Sequence, residues 1–520
     1  MTAGTGIQDD VRALLDRALE VYRDEPAAVA RLRAHRRRLD EPLRVALVGR
    51  VKAGKSTLLN ALVGARLAPT DAGECTRVVT WFRNGALPQV ALHEVDGSER
   101  VLPVRRIDGG LRLDLGGTPP ERVERLVVDW PAEGLASATL IDTPGLASLT
   151  DDAGARTQAF LEDDPGPGAD AILFLTRQMQ AEDLAFLTDF RAAVGEHGQH
   201  TSTITVLSRA DEVGSGRLDA LVVADQVARR TAEKPAVRAV TQALVPVAGL
   251  LGLAGRTLRH RDFVALRSLE QGDRADLESM LLSADRFCRP EAPIPVARTA
   301  RVELLDRLGL FGVRLGVALI RLGAADAGAL AAELVRRSGL AELQRLLDVH
   351  FTRRSGALKS ATALRGVERL VTEMPIPGTA PLRAGIERIQ VASTELPELD
   401  LLMRLRSPRA PLPAGWRREA ERLLGAEGAT ATDRLGLPAA TADEDLRAAA
   451  VAALTRWRAR AAEPLTTRAA VDACDLLART CEEILGRLDG LLSVAGLPEP
   501  GPGRSAEQGE QGQHDETALH

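Results

Sequence analysis

Short apolar runs alternate with amphipathic stretches along the first half of the chain. Apolar residues at three- and four-residue spacing predict one or two helices over residues 7–40, interrupted at Pro26. Apolar runs of strand length follow, separated in several places by helical stretches. This alternation predicts a mostly parallel sheet with helices on both faces. The predicted strands are 43–48, 77–82, 89–95, 126–130, 138–141, 171–176, 203–208 and 243–248.

The second half of the chain carries a different pattern, and strands are expected to stop after residue 255. Long amphipathic stretches predict helices to about residue 495, with breaks near 375–381, 407–415, 425–432 and 464. A near-heptad apolar stripe in the last helix indicates bundle packing, with a dimerising coiled coil as the alternative. The tail at 497–520 is rich in Gly, Pro, Gln and Glu, so we expect it to be disordered.

Composition fits a soluble globular protein, with 45% hydrophobic and 27% charged residues. The formal net charge of −5 gives no basic excess, which argues against a nucleic-acid partner. The first ten residues, MTAGTGIQDD, lack a basic region and an apolar stretch, so no secretory signal is expected. The longest apolar run, 243–255, is shorter than the ~20 residues that span a bilayer. The four cysteines are scattered, which indicates a reducing compartment. We therefore expect a cytoplasmic protein, and we expect any membrane role to be peripheral.

A phosphate-binding motif stands between the first predicted strand and a predicted helix. The letters GRVKAGKS fit G-x-x-x-x-G-K-[ST], in which glycines let backbone N–H groups face phosphates at a helix N-terminus. Lys55 is expected to reach the β- and γ-phosphates, and Ser56 to give its hydroxyl to Mg²⁺. The nucleotide-binding residues expected here are Gly49, Arg50, Val51, Lys52, Ala53, Gly54, Lys55, Ser56 and Thr57.

Two further segments are expected to complete the phosphate and metal site. The apolar strand in LIDTPGL delivers Asp142, which can hold a Mg²⁺ water, and Gly145, whose N–H can contact the γ-phosphate. Thr76, in ECTRVV, is the candidate switch threonine that closes on Mg²⁺. The alternatives are a plain strand and turn for LIDTPGL and a turn or helix-cap role for Thr76.

A third element, VLSRAD, ends another apolar strand and is similar to the [NT]-K-x-D element that distinguishes guanine from adenine. Asp211 would accept hydrogen bonds from the guanine N1–H and 2-amino group, which adenine cannot match. Arg209 replaces the usual lysine and can stack on the base, and Ser208 replaces Asn or Thr. Ala248 and Gly249 stand where a backbone amide could contact guanine O6. An ATPase remains the alternative if VLSRAD is a coincidental match.

With these elements in this order, the sequence resembles the bacterial dynamin-like GTPases, and among them the actinobacterial, mycobacterial IniC-type group. The resemblance rests on the second half being helical and on four segments: GRVKAGKSTLLNALVG, APTDAGECTRVVTWF, LIDTPGL and LSRADE. It implies an α/β P-loop GTPase head joined to a long α-helical neck and stalk bundle. The implied parts are neck helices at 1–42, a GTPase domain at 43–352 with a helical insertion at about 256–335, and a neck and stalk at 353–496.

The resemblance also implies an activity and partners. It implies GTP as the substrate, Mg²⁺ as the cofactor, self-association through the GTPase heads and contact with an anionic lipid surface. A paralogous dynamin-like partner is implied as well, because actinobacterial relatives are often encoded in pairs. The expected function is GTP hydrolysis that couples head dimerisation and stalk movement to membrane remodelling or stabilisation, at the inner face of the cell membrane.

Hydrolysis in this family requires groups other than the usual glutamine. Leu146 stands where small regulatory GTPases place a water-orienting Gln, and its side chain cannot do this. Lys52 occupies the loop position where eukaryotic dynamins carry a polar residue beside a cation. We expect its ammonium to stabilise transition-state charge, with a solvated loop lysine as the alternative. The expected catalytic residues are Lys52, Lys55, Ser56 and Thr76, and the expected metal-binding residues are Ser56, Thr76 and Asp142.

A basic segment at 401–418 is the expected site of lipid contact. It has five arginines, no acidic residue and three prolines that break the helix. If the helices before it run outward and those after it return, it forms a tip on the order of 75 Å from the head. Arginine attracts anionic lipid and tryptophan suits the interface, with a solvated turn as the alternative. The expected contacts are Arg404, Arg406, Arg409 and Trp416.

Two other functions remain open from the sequence. One is a soluble switch GTPase of the ribosome-biogenesis kind, which would need an RNA-binding module with a basic surface. The helical second half is acid-balanced and does not supply one. The other is a scaffold that binds nucleotide and hardly turns it over, against which the intact Lys55, Ser56, Thr76 and Asp142 argue.

Overall fold

Two helices precede the sheet in this computed structural model. The structure describes residues 6–69, 78–107, 110–144, 169–195, 202–407 and 410–490. Helices α1 (Ile7–Val21) and α2 (Pro26–Asp40) confirm the interruption predicted at Pro26. This proline is the first residue of α2, where the N–H that it lacks has no partner within the helix.

A nine-stranded sheet forms the centre of the first half. Eleven strands are described, and nine of them belong to this sheet. The eleven are β1 (Leu43–Gly49), β2 (Thr80–Asn84), β3 (Gln89–Glu94), β4 (Glu99–Leu102), β5 (Arg105–Ile107), β6 (Gly110–Arg112), β7 (Val123–Trp130), β8 (Ala138–Asp142), β9 (Ala171–Thr176), β10 (Ser202–Ser208) and β11 (Ala243–Val247). The sheet order is β11-β10-β9-β1-β8-β2-β7-β3-β4, and β5 pairs separately with β6. Strands β8, β1, β9, β10 and β11 are parallel neighbours, as are β2 and β7. The antiparallel pairs are β2–β8, β3–β7 and β3–β4.

The sheet confirms the predicted mostly parallel fold. All eight predicted strands are present, with boundaries shifted by a few residues. The sequence missed β4, β5 and β6, which are short and carry arginines. Every residue of β5 is exposed, so this strand lacks the apolar run by which a buried strand is recognised.

Both faces of the sheet are buried. Neighbouring side chains of a strand point to opposite faces, so a single strand contributes to the core on each side. In β1, Val45 and Leu47 belong to the core on one face, and Val48 belongs to the core on the other. On this second face Phe174 of β9 stacks on Phe186, with ring centroids 5.6 Å apart. The helices of this region are α3 (Lys55–Val63), α4 (Ala181–Gly195), α5 (Ala220–Ala232), α6 (Pro235–Val240) and α7 (Gly249–Arg256).

Most of the remaining helices form two further hydrophobic cores. One encloses the fully buried Leu266 and Phe287, and the other encloses Trp457 and Cys474. The first group is α8 (His260–Gln271), α9 (Arg274–Met280), α10 (Ala284–Phe287), α11 (Arg298–Arg321) and α12 (Ala327–Arg337). The next helix, α13 (Leu340–His350), packs into the core of the sheet instead. The second group is α16 (Glu395–Leu405), α17 (Ala414–Leu423), α18 (Ala431–Leu435), α19 (Asp443–Ala461) and α20 (Arg468–Leu488).

Helices α14 (Ser355–Glu373) and α15 (Ala380–Ala392) pack differently from the helices that follow them. They share the core of the sheet with α1 and α2, so the third core begins only near residue 401. In α20, Cys474, Leu477 and Cys481 are buried in that third core, which accounts for the near-heptad spacing without a second copy of the chain. Within the described ranges, none of the helices combines the length and the apolar character needed to cross a bilayer.

Candidate functional site

The end of β1 brings the phosphate-binding loop against β9. Gly49 has a φ of 155°, and a Cβ at this position would lie 2.3 Å from the carbonyl oxygen of Leu175. Only glycine fits so close an approach. Gly54 has a φ of 96°, faces open space and is followed at once by helix α3. Between them Lys52 is exposed and has a φ of 63°, a left-handed conformation that is uncommon outside glycine.

Lys55 is the first residue of α3, and its side chain lies within the loop. Its Nζ donates hydrogen bonds to the carbonyl oxygens of Gly49 at 3.1 Å and Arg50 at 3.4 Å. Burial lowers the pKa of Lys55, although the nearby Asp142 carboxylate acts in the opposite direction. A buried ammonium held only by carbonyl oxygens is poorly compensated, so a phosphate group would be favoured beside it.

Ser56 and Asp142 lie side by side where α3 faces the end of β8. Ser56 Oγ donates a hydrogen bond to Asp142 Oδ2 at 2.7 Å. The other oxygen, Oδ1, is buried and has no hydrogen-bond partner among the described residues. Burial raises the pKa of Asp142, while Lys55 and the Ser56 hydrogen bond oppose this shift. An oxygen-rich pair with one orphaned carboxylate oxygen fits a divalent cation such as Mg²⁺.

Two predicted partners of this pair cannot be compared with it. Thr76 and Gly145 lie outside the described residues. The neighbouring Thr143 is described, and its Oγ1 donates to the carbonyl oxygen of Leu47 at 2.8 Å. This bond fixes the end of β8 against β1, and so holds Asp142 near the phosphate loop.

The VLSRAD element ends β10 beside the same loop. Ser208 is buried, and its Oγ donates to the carbonyl oxygen of Thr176 at 3.2 Å. Arg209 has a φ of 53°, and its Nη1 donates to Glu212 Oε1 at 2.7 Å. Burial raises the pKa of Asp211, with a backbone hydrogen bond acting in the opposite direction. This carboxylate is therefore poorly solvated, which favours a ligand that offers hydrogen-bond donors.

One cavity of about 160 Å³ joins the phosphate loop to this element. The predicted residues that line it are Ala53, Gly54, Thr57, Ser208, Arg209, Asp211 and Gly249. Ala248 differs from expectation, because its backbone N–H donates to the carbonyl oxygen of Ser338 at 2.9 Å and is not available to a base. A second, larger cavity of about 480 Å³ lies at the opposite ends of β1 and β8 and contains none of the predicted site residues.

Sequence reasoning missed one acidic residue beside the loop. Asp183, in the first turn of α4, is only 3% exposed. Its Oδ1 accepts a hydrogen bond from Arg50 Nε at 3.2 Å, and its Oδ2 accepts from the N–H of Gln180 at 3.0 Å. No motif marks this position. The available signal was an acidic residue in the first turn of a predicted helix, which favours a capping role.

The expected position of the 401–418 segment is wrong. Arg406 lies against the head, where its Nη1 donates to the carbonyl oxygen of Gln242 at 2.6 Å and its Nε contacts Glu421 at 3.2 Å. The helices before it are α14, α15 and α16, which do not form one outward rod, because breaks at 374–379 and 393–394 separate them.

The other predicted membrane contacts are less enclosed. Arg404 is exposed and lies near Asp400, at 3.4 Å. Trp416 is half-buried, with the Arg460 guanidinium 4.8 Å from its ring centroid. Arg409 lies outside the described residues. Of these three described side chains, Arg406 is the one that its contacts with Gln242 and Glu421 keep away from a lipid surface.

Comparison with known proteins identifies the family. The sequence profile of the Dynamin family matches residues 45–210. The isoniazid-induced protein IniC of Mycobacterium tuberculosis is 42% identical over 436 residues, which cover 82% of this chain and 88% of that protein. The bacterial dynamin-like protein of Nostoc punctiforme is 32% identical over 148 residues, which cover 26% of this chain and 20% of that protein.

A solved structure is also similar over much of its length. It is an oligomerised bacterial dynamin pair, described as providing a mechanism for the long-range sensing and tethering of membranes. The alignment covers 94% of this chain and 75% of that one, with 12% identity and a TM-score of 0.34. The family rests instead on the profile match and on the identity to IniC over most of both chains. By these two findings, the chain belongs to the dynamin family of large GTPases.

Proposed function

We propose that this chain binds GTP with Mg²⁺, hydrolyses it to GDP and phosphate, and couples head-to-head association to remodelling or stabilisation of a membrane. The observation that carries the nucleotide part is the single cavity shared by the phosphate loop, through Ala53 and Gly54, and by the base-recognition residues Arg209 and Asp211. Membership of the dynamin family supports the hydrolytic part.

Each residue of the site has a proposed role. The loop N–H groups and the Lys55 ammonium bind the β- and γ-phosphates. Ser56 and Asp142, together with Thr76, would hold Mg²⁺, which neutralises charge on the phosphates when bound. Asp211 accepts hydrogen bonds from guanine, and Arg209 lies along the base. Lys52, exposed at the loop, stabilises the charge that develops on the transferred phosphoryl group.

Lipid contact is proposed at the turn that joins α19 to α20. This turn follows Arg460, whose guanidinium lies over the Trp416 ring, and it carries Leu465, which is 97% exposed. The exposed Arg468 follows Leu465 by three residues and pairs with Asp472 at 3.0 Å. An exposed leucine at the end of a helix pair suits a peripheral contact with a lipid surface. Self-association through the heads and a paralogous partner remain part of the proposal.

Base specificity provides the test of the nucleotide part. Asp211→Asn replaces two acceptor oxygens by one acceptor and one donor. Xanthine carries a carbonyl oxygen where guanine has its 2-amino group, so the variant should lose GTP turnover and gain turnover of xanthosine triphosphate. We expect the preference between the two nucleotides to change by roughly 10³-fold or more. Wild-type protein that turns over ATP as well as GTP, or a variant with unchanged preference, contradicts guanine recognition by Asp211.

Flotation with anionic liposomes tests the lipid part. Leu465→Ser should weaken binding roughly 10- to 100-fold, because a leucine that inserts into lipid contributes about 1.5–3 kcal/mol. Leu322→Ser is the matched control, since Leu322 is also exposed but lies at the end of α11. Equal binding of wild type and Leu465→Ser would remove this turn from the lipid-contacting surface.

A further inference from the structure

A chain of polar contacts crosses the sheet from the phosphate loop to the base-recognition element. Arg50 follows the last residue of β1, Thr176 ends β9 and Ser208 ends β10, and β9 lies between the other two strands. Arg50 Nε donates to Asp183 Oδ1 at 3.2 Å, and Thr176 Oγ1 lies 3.0 Å from Asp183 Oδ2. Ser208 Oγ then donates to the carbonyl oxygen of Thr176 at 3.2 Å.

Asp183 is held firmly enough to anchor this series of polar contacts. Its carboxylate is buried, and Oδ2 accepts from the backbone N–H of Gln180 at the start of α4. A carboxylate in the first turn of a helix is stabilised by the helix dipole and by exposed N–H groups. A buried charge still requires a partner, and the Arg50 guanidinium supplies it to Oδ1.

The backbone of Arg50 connects the Arg50–Asp183 ion pair to the phosphate loop. Its carbonyl oxygen accepts hydrogen bonds from the N–H of Ala53 at 3.1 Å and from Lys55 Nζ at 3.4 Å. A shift of Arg50 would therefore move both the loop amides and the lysine. At the other end, a shift of Ser208 would move Asp211, three residues later.

We propose that Asp183 is a positioning residue that sets the distance between the phosphate loop and the 208–211 segment, and so sets the fit of a guanine nucleotide. This inference rests on the proposed GTPase function. It assigns a role to the Arg50–Asp183 pair that is separate from direct contact with the nucleotide. Asp183 acts through Arg50 on the phosphate end and through Thr176 on the base end.

Asp183→Asn tests the Arg50–Asp183 ion pair with little change in the shape of the side chain. The asparagine oxygen can still accept from Gln180, whereas its NH₂ group faces Arg50 and the charge pair is lost. We expect the KM for GTP to rise roughly tenfold with kcat within about twofold, since the chemistry is unchanged once the nucleotide is seated. We also expect a several-fold loss of preference for GTP over inosine triphosphate, which lacks the 2-amino group.

Glu182→Gln is the matched control. Glu182 Oε2 lies 3.4 Å from Arg50 Nη2, but its side chain is 74% exposed, so the pair contributes little. Its KM and nucleotide preference should stay within about twofold of wild type. Arg50→Gln should reproduce Asp183→Asn, and the double variant should be no worse than the poorer single variant, because both remove one link.

Three outcomes would overturn the inference. They are an unchanged KM and GTP preference in Asp183→Asn, additive effects in the double variant, and an equal effect of Glu182→Gln. If Asp183→Asn fails to fold, Arg50→Gln decides the question, because Arg50 is half-exposed and its loss leaves the helix cap in place. Wild-type protein without GTP binding would instead overturn the proposed function itself, so the two failures are distinguishable.

Discussion

Arg406 donates a hydrogen bond from Nη1 to the carbonyl oxygen of Gln242, 2.6 Å away, and so joins the C-terminal helices to the edge of the sheet beside β11. Its Nε contacts Glu421 Oε2 at 3.2 Å, and the second oxygen of Glu421 accepts from Arg238 of α6 at 2.5 Å. Burial lowers the pKa of Arg406, with Glu421 acting in the opposite direction. One acidic residue therefore links arginines from the head and from the C-terminal helices.

Loss of Arg406 should destabilise the protein strongly. Arg406→Ala removes the hydrogen bonds to Gln242 and Glu421, although Glu421 keeps Arg238 as a partner, so the loss should cost about 1–3 kcal/mol. Arg404→Ala, in the same helix, removes a side chain that is 44% exposed and should change the free energy of unfolding by about 0.5 kcal/mol or less. Urea unfolding followed by circular dichroism measures both. Equal midpoints for the two variants would contradict the role given to Arg406.

Removal of the Ser56 hydroxyl should impair use of Mg²⁺. Ser56→Ala deletes the donor to Asp142 and one proposed metal ligand. The Mg²⁺ concentration for half-maximal GTP turnover should therefore rise roughly 10–100-fold. Thr143→Ser is the control, because it keeps the hydroxyl that bonds to Leu47 nearby. A Mg²⁺ titration of turnover measures the change, and an unaltered midpoint in Ser56→Ala would exclude Ser56 as a ligand.

Affinity for GTP should fall in mildly acidic solution. Guanine recognition needs the ionised form of Asp211, and burial raises its pKa, so protonation begins at a higher pH than for an ordinary aspartate. Affinity should thus reach a plateau near neutral pH and decline as the pH is lowered. Fluorescent GTP-analogue binding from pH 5 to 8 measures this. A binding profile that stays flat from pH 8 to pH 5 would contradict the assignment.

Lys52 should affect turnover more than binding. Lys52→Ala removes a charge that is proposed to act in the transition state, so kcat should fall roughly 10²-fold while the KM for GTP changes little. Lys52→Arg keeps the positive charge and should retain most of the activity. Steady-state GTP hydrolysis measures both variants. Full turnover by Lys52→Ala would make Lys52 a solvated loop residue.

Most of the head could be predicted from sequence because its signals are local. Each buried strand is an apolar run, and the phosphate loop carries glycines at positions where the backbone requires them, such as Gly49 against Leu175. The position of the VLSRAD segment is predicted by the same means, since Ser208 ends β10 and Asp211 follows three residues later. Local chemistry placed these residues without knowledge of the tertiary fold.

The remainder depended on contacts between distant parts of the chain. Arg406 is buried by Gln242, 164 residues earlier, and no spacing in the sequence indicates that pairing. From sequence alone, a basic segment with a tryptophan therefore predicts an exposed tip. Asp183 was missed for a related reason, because its partner Arg50 lies 133 residues away and the pair spans two strands. Periodicity predicts which elements form, whereas their arrangement depends on pairs of this kind.

GTP turnover by the purified full chain, at several protein concentrations and with or without anionic liposomes, shows whether hydrolysis is coupled to association and to lipid. Lys55→Ala, measured alongside, shows the background. We expect specific activity to rise with protein concentration and again with lipid, because association of heads at a membrane completes the active site. A rate that stays slow and does not depend on protein concentration or lipid would contradict hydrolysis coupled to association at a membrane. It would favour a soluble switch or a nucleotide-binding scaffold.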